Sequence, residues 1–173
     1  MNTATTPLFR AETPEDTEEV HRLMELGFSQ GHLKRNIWDL REAKRIPELC
    51  IVAEDQTKPK VLMGSIRFWP ITIAGLPSVL LGPLAVDPAL RGLGIGMELV
   101  RKGLAQAELG VWHFCFVSGE PDYYPKLGFT KIKKSQLDLP SPIEEERLHM
   151  IPVSGDSLGD LPDVAWVVRS DFS

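Results

Sequence analysis

Residues 84–97 read Leu84-Ala85-Val86-Asp87-Pro88-Ala89-Leu90-Arg91-Gly92-Leu93-Gly94-Ile95-Gly96-Met97. An apolar run enters a turn at Asp87-Pro88, and alternating glycines then open an amphipathic stretch. Amides at the start of a helix have no intrahelical acceptor, and with no Cβ atoms in the way they form a cradle for an anion. Two familiar nucleotide cradles do not fit. The dinucleotide fingerprint needs Gly-x-Gly-x-x-Gly, but Gly92 and Gly94 are followed by Met97, and Gly94 and Gly96 by Leu99. The P-loop needs Gly-Lys followed by Ser or Thr, a tripeptide this chain lacks.

The elements that must hold this corner follow from periodicity. Val79–Val86 is apolar nearly end to end, as for a strand covered on both faces, and Gly82-Pro83 should bulge or break it. A helix is expected from about Gly94 to Leu109, with Met97, Val100, Leu104 and Ala107 on its inner side and Gly110 closing it. Val111–Ser118 then reads as a buried strand, which makes a strand–helix–strand unit with a right-handed parallel crossover. Upstream, Leu8 and Phe9 suggest a short strand. Thr13-Pro14-Glu15-Asp16 is a helix start with an apolar face at Val20, Leu23 and Met24 and a stop at Gly27. A second helix is expected to start near Ser29, present Leu33, Ile37 and Leu40 inward, and end before Pro47. Leu49–Glu54 and Val61–Ile73 are strands, with Gly75-Leu76-Pro77 as punctuation. Downstream come a short helix over Asp122–Leu127, strands at Phe129–Lys133 and Leu148–Val153, and a last strand at Val164–Val168.

At 173 residues, 43% hydrophobic and 25% charged, the chain fits a single α/β domain over 1–173. The net charge of −5 argues against a polyanion partner. The basic cluster Lys34, Arg35, Arg41, Lys44 and Arg45 is interleaved with Asp39, Glu42 and Glu48 and reads as a solvated face. Cys50 and Cys115 lie in apolar runs and read as buried thiols, with no Cys-x-x-Cys pair to suggest a metal. Neither a leader peptide nor a membrane-length apolar run is visible, so a cytoplasmic protein is expected, without nucleic acid, membrane or metal.

Val86-x-Pro88-x-x-Arg91-Gly92-x-Gly94-Ile95-Gly96 resembles the signature of the GCN5-related N-acetyltransferases, the GNAT superfamily. A second block, Tyr123-Tyr124-Pro125-Lys126-Leu127-Gly128-Phe129, resembles that family's later motif, and the run from Gly82 to Phe129 is similar to its YhbS-like bacterial branch. The resemblance implies a mixed, mostly antiparallel twisted sheet with a splayed parallel pair, flanked by about four helices. It implies acetyl-CoA as co-substrate. Main-chain groups of Leu84, Ala85 and Val86 would pair with the pantetheine arm. Amides of Arg91, Gly92, Leu93, Gly94, Ile95, Gly96 and Met97 would hold the pyrophosphate. The Arg91 side chain would meet a phosphate, or instead pair with Asp87.

By the same resemblance Tyr124 is the general acid to the departing thiolate, with Tyr123 a packed core ring. Many relatives carry a base on the strand before the phosphate turn, where this chain has Leu81, Gly82, Pro83 and Leu84. Glu120 is the remaining candidate, with Asp122 and Ser118 nearby; a helix-capping role for Glu120 is equally open. His32 belongs to the helix pair that walls the acceptor side in relatives, and His113 reads as a core group. Gly27–Leu40, Arg67–Ile73 and the tail after Ser154 would shape an acceptor pocket, with Trp38, Phe68 and Trp69 as possible lining. The implied acceptor is a small-molecule or peptide amine, and the protein a monomer or homodimer. A non-catalytic acyl-CoA sensor with the same fold is the alternative.

Overall fold

The computed structural model describes residues 6–27 and 36–171. Among the described residues nine strands form the sheet: β1 (Pro7–Ala11), β2 (Ile51–Asp55), β3 (Leu62–Ile73), β4 (Leu76–Val86), β5 (Phe114–Ser118), β6 (Thr130–Lys131), β7 (Leu137–Asp138), β8 (Leu148–Pro152) and β9 (Trp166–Ser170). The spatial order is β1-β2-β3-β4-β5-β8-β6, and β9 pairs with β3 and β7. Along that order every pairing is antiparallel except β4 with β5. The α-helices among the described residues are α1 (Thr17–Gly27) and α2 (Ile95–Glu108), and the other helical segments are short 3-10 turns. Of the helix expected from near Ser29 to before Pro47, residues 29–35 lie outside the described residues; in the described part Asn36–Leu40 is a 3-10 turn, with Ile37 and Leu40 buried, and residues 41–46 are not helical.

β3 and β4 are one long hairpin. Its turn is only Ala74-Gly75, both at positive φ (51° and 78°), and Ile73 already faces Leu76 across the ladder. That is the two-residue turn whose twist suits antiparallel strands. The break expected across Gly75-Leu76-Pro77 is therefore shorter, and Leu76 and Pro77 belong to β4. The interruption at Gly82-Pro83 is real: Ile66 pairs with Leu84 and Phe68 with Leu81, so two residues of β4 oppose Arg67 alone. The Gly82–Pro83 peptide is cis. Arg67 leaves the sheet through a buried pair with Glu12 at 2.6 Å.

The ladder between β4 and β5 has two rungs, Val79 with Cys115 and Leu80 with Phe116. Past them comes the bulge, and the strands part. On one face α2 packs through Ile95, Leu99, Val100, Gly103 and Ala107. Met97 and Leu104, expected inward, are half-buried. Gly103 is required by proximity, since a Cβ there would lie 2.4 Å from Cε2 of Phe68. Phe68 is thus core, not pocket lining. β5 starts at Phe114, so Val111 is exposed and His113 is no core group: its Nδ1 meets Asp156 at 3.2 Å on the surface.

At the start of α1, Asp16 accepts hydrogen bonds from the Thr13 amide and from both terminal nitrogens of Arg10, each at 2.8 Å. This is the helix entry expected from Thr13-Pro14. The Arg10 hydrogen bonds hold the Asp16 carboxyl below its usual range against the opposing effect of burial.

Candidate active site

Where β4 and β5 part, they leave a cleft of about 880 Å³. One wall is the open edge of β4. Leu84, Ala85 and Val86 pair on one side with Ile66, Ser65 and Gly64 of β3. On the β5 side the ladder has already ended, so main-chain groups there face the cleft.

β4 runs straight into the glycine-rich turn. The Asp87 carboxylate accepts the Ala89 amide at 3.0 Å, which closes a 3-10 turn over Pro88–Leu90. The second neighbour of Asp87 is Arg22 at 3.8 Å, so the Asp87–Arg91 pair left open by the sequence is not formed. Arg91 is exposed and lines the cleft. Gly92 (φ +86°) and Gly94 (φ +80°) adopt the left-handed conformation, and a Cβ on either would meet nothing within 4 Å. Their necessity is conformational. Gly96 differs: its Cβ would sit 2.7 Å from the Tyr123 hydroxyl and 3.4 Å from Cγ2 of Val86. Gly94 caps α2 with no side chain, so the amides of the first helical turn are left to a ligand or solvent. Ile95, Gly96 and Met97 all line the cleft, with the positive end of the helix dipole aimed into it.

The opposite wall belongs to β5 and the turn after it. Tyr124 opens a 3-10 turn (Tyr124–Leu127) in which Pro125 presets the backbone and Gly128 (φ +93°) ends it. The Tyr124 ring is 7% exposed. It stands edge-on to Tyr123 (5.1 Å between centroids) and to Phe129 (5.4 Å), and is tilted against His149 (5.7 Å). Burial pushes its phenol well above the usual value, with smaller contributions from Tyr123, Cys115 and Glu120 in the same direction and from Arg147 against it. The hydroxyl keeps its proton at neutral pH.

Glu120 is at the rim. Its side chain is 76% exposed and lies 3.4 Å from Arg147 Nη1. Ser118 borders the cleft, whereas Asp122 is exposed and outside its lining. His32 lies outside the described residues, as does the side chain of Trp38. Trp69 is half-buried and donates its indole N–H to the Gly82 carbonyl.

Four residues of this region were not singled out as site residues from sequence. Tyr123, read as core, is half-buried and lines the cleft over Gly96, and burial raises its phenol pKa. Arg41 lines the cleft and packs its guanidinium over the Trp69 ring. Arg147 ends the acidic 3-10 turn Glu145–Arg147 just before β8, and its carbonyl accepts from both the Gly119 amide and His149 Nδ1–H at 3.0 Å. His149 is fully buried, its Nε2 makes no hydrogen bond, and burial lowers its pKa. Their signal was three-dimensional: only the β5–β8 register brings residues 147–149 beside residues 117–124.

Among the described residues no group of three or more His, Cys, Asp or Glu side chains is placed to hold a metal ion. No helix of the described residues is long and apolar enough to cross a membrane.

The sequence model of the acetyltransferase (GNAT) domain matches residues 47–131. The chain is 26% identical over 153 residues to the uncharacterized N-acetyltransferase YhbS of Escherichia coli K12, spanning 87% of this chain and 90% of that one. The crystal structure of E. coli YhbS in complex with CoA superposes with a TM-score of 0.78 at 26% identity, covering 99% of this chain and 93% of that one. Residues 47–131 carry the GNAT acetyltransferase domain. A GNAT acetyltransferase from Brucella melitensis in complex with acetyl-CoA also matches, with a TM-score of 0.67 at 26% identity over 96% of this chain and 97% of that one. The GNAT fold is the one described above: a mixed, mostly antiparallel sheet whose parallel β4–β5 pair splays into a cleft.

Proposed function

We propose that this domain, residues 1–173, transfers the acetyl group of acetyl-CoA to a primary amine by direct attack. The observation that carries the reading is one continuous surface. The free edge of β4 ends at the uncapped start of α2, inside the same cleft as a protonated, immobilised Tyr124. The CoA-bound and acetyl-CoA-bound GNAT structures with this fold support it.

The residues present fit the co-substrate. A pantetheine arm carries amides spaced like a peptide, and the Leu84–Val86 edge offers the main-chain partners of an added strand. A diphosphate matches the amides from Gly92 to Met97, with space above Gly92 and Gly94 where no protein atom intrudes; the Arg91 amide, expected to join them, already donates to the Pro88 carbonyl. Bound there, acetyl-CoA supplies an activated carbonyl.

The remaining tasks fall to side chains. An alkylammonium of pKa ~10.4 must lose a proton, a deficit of roughly 4–5 kcal/mol at pH 7. Glu120, at the mouth and open to solvent, receives that proton. As the C–N bond forms and the C–S bond breaks, Tyr124 gives its proton to the thiolate, and the second proton shed by the nitrogen as it becomes an amide passes through solvent to restore the Tyr124 phenol. A positioned acid of this kind contributes about 10²–10⁴ in rate. Phe129, Tyr123 and His149 hold the phenol in place.

Two measurements test the reading together. Calorimetry should detect binding of CoA and acetyl-CoA, and an amine panel should release free CoA above the rate without amine. An acyl-CoA sensor would give the first result without the second. Absence of heat with any CoA derivative would overturn the proposal.

A further inference from the structure

The acceptor end of the cleft has a charge pattern that the acetyl-transfer reading does not use. Arg147 and Glu120 both line it, beside Tyr124. Arg147 is the fixed member. Its side chain is 20% exposed, and its carbonyl is held by the Gly119 amide and by His149 Nδ1–H. Glu120 is the loose member, 76% exposed and 3.4 Å away. An exposed ion pair of that length adds little to stability and opens readily. Among the described residues that line the cleft, Glu120 is the only acid, whereas Arg41 and Arg147, away from the phosphate turn that carries Arg91, are basic. An acceptor carrying only positive charge would therefore meet more like charge than unlike.

We infer that the acceptor is an amine with a carboxylate close to it, an α-amino acid or a compound built like one, and that Arg147 is the residue that selects it. The inference rests on the acetyltransferase reading of the same site. The opposed charges of Arg147 and Glu120 complement those of the zwitterion. Arg147 binds the carboxylate in place of Glu120, and the ammonium settles against the Glu120 carboxylate that takes its proton. The planar guanidinium provides two parallel donors for this purpose, which an ammonium does not. Nitrogen is thereby brought to the side of the cleft where Tyr124 waits.

The test compares each amino acid with its carboxamide and its decarboxylated amine, for example tyrosine, tyrosinamide and tyramine, or leucine, leucinamide and isopentylamine. The carboxamide is the stringent control, because its amine is the least basic of the three and has the most free base at neutral pH. Acids should exceed carboxamides in kcat/KM by about ten-fold or more. Arg147→Gln should remove that preference through the acid's KM, with the KM for acetyl-CoA unchanged. Arg147→Lys should keep part of it, and retained acetyl-CoA binding in both variants shows that they are folded. Equal rates for acid and carboxamide overturn the inference, as does a preference that survives Arg147→Gln. Failure of every amine to react overturns it too. In that event, acetyl-CoA binding heat in the same preparation decides whether the reading of the cofactor cleft stands without it.

Discussion

The ring of Tyr124 packs directly against Gly119: a Cβ at Gly119 would overlap Cε2 and sit 2.7 Å from Cδ2 of that ring. No side chain is tolerated there unless Tyr124 moves. Gly119→Ala should therefore act as a displaced-tyrosine mutant. We expect a fall in kcat of roughly 10²-fold, near the loss of a positioned acid, while the calorimetric Kd for acetyl-CoA changes little. An unchanged kcat would separate Tyr124 from the chemistry.

Tyr124→Phe tests the hydroxyl directly, since the ring and its edge contacts with Tyr123 and Phe129 are kept. Turnover should drop by about 10²-fold or more at constant acetyl-CoA affinity. Burial holds the wild-type phenol above its ordinary pKa, so the protonated acid persists beyond pH 10. A kcat profile of wild type that falls with an apparent pKa below 10 would assign the alkaline limb to another group.

The glycines of the cradle should respond differently to the same change. At Gly94, with φ +80° and open space around the missing Cβ, alanine costs backbone strain, on the order of 1 kcal/mol. Glutamate there adds a negative charge at the anion site and should abolish acetyl-CoA binding while the fold survives. At Gly96 alanine meets the Tyr123 hydroxyl at 2.7 Å, so Tyr123 must shift. The double variant Gly96→Ala/Tyr123→Phe should recover affinity that Gly96→Ala alone loses. Titration calorimetry on the set reads all three outcomes.

His149 predicts a pH dependence of stability. Its pKa is lowered in the folded protein, so below about pH 6.5 the unfolded chain takes up a proton that the folded one refuses. More protons bound in the unfolded state means stability that rises with pH. The contribution is present above 6.5 and is lost as pH falls through it. Urea midpoints measured from pH 5 to 8 should show this slope, and His149→Phe should flatten it. An identical slope in the variant would place the linkage elsewhere.

Much of the fold was legible because local rules and the final packing agree. Thr13-Pro14 starts a helix, Gly82-Pro83 deforms a strand, and the glycine run opens α2 as its spacing implies. The errors share a cause. Val111–His113 is apolar or aromatic enough to read as strand, yet the chain is still turning there, with the His113 amide bonded to the Pro77 carbonyl, and pairing starts only at Phe114. β7 is two residues long and exists because β9 lies parallel to it, a partnership no local pattern encodes. In the site, the cradle was legible because its logic lies in backbone conformation along a single stretch. Arg147, His149 and the true exposure of Tyr123 depend on β8 lying next to β5, some 30 positions downstream in sequence.

Among the described residues, two rungs between β4 and β5, with the His113 amide on the Pro77 carbonyl beside them, join the β1–β4 side of the sheet to the β5, β8 and β6 side. A pantetheine arm laid along Leu84–Val86 would act as a missing seam. Amide hydrogen exchange along that edge should slow on loading, and heat resistance should climb with coenzyme concentration by mass action. Reactant and structural brace would then be the same molecule, and release of the spent thiol would loosen the sheet along the line where the next substrate must enter.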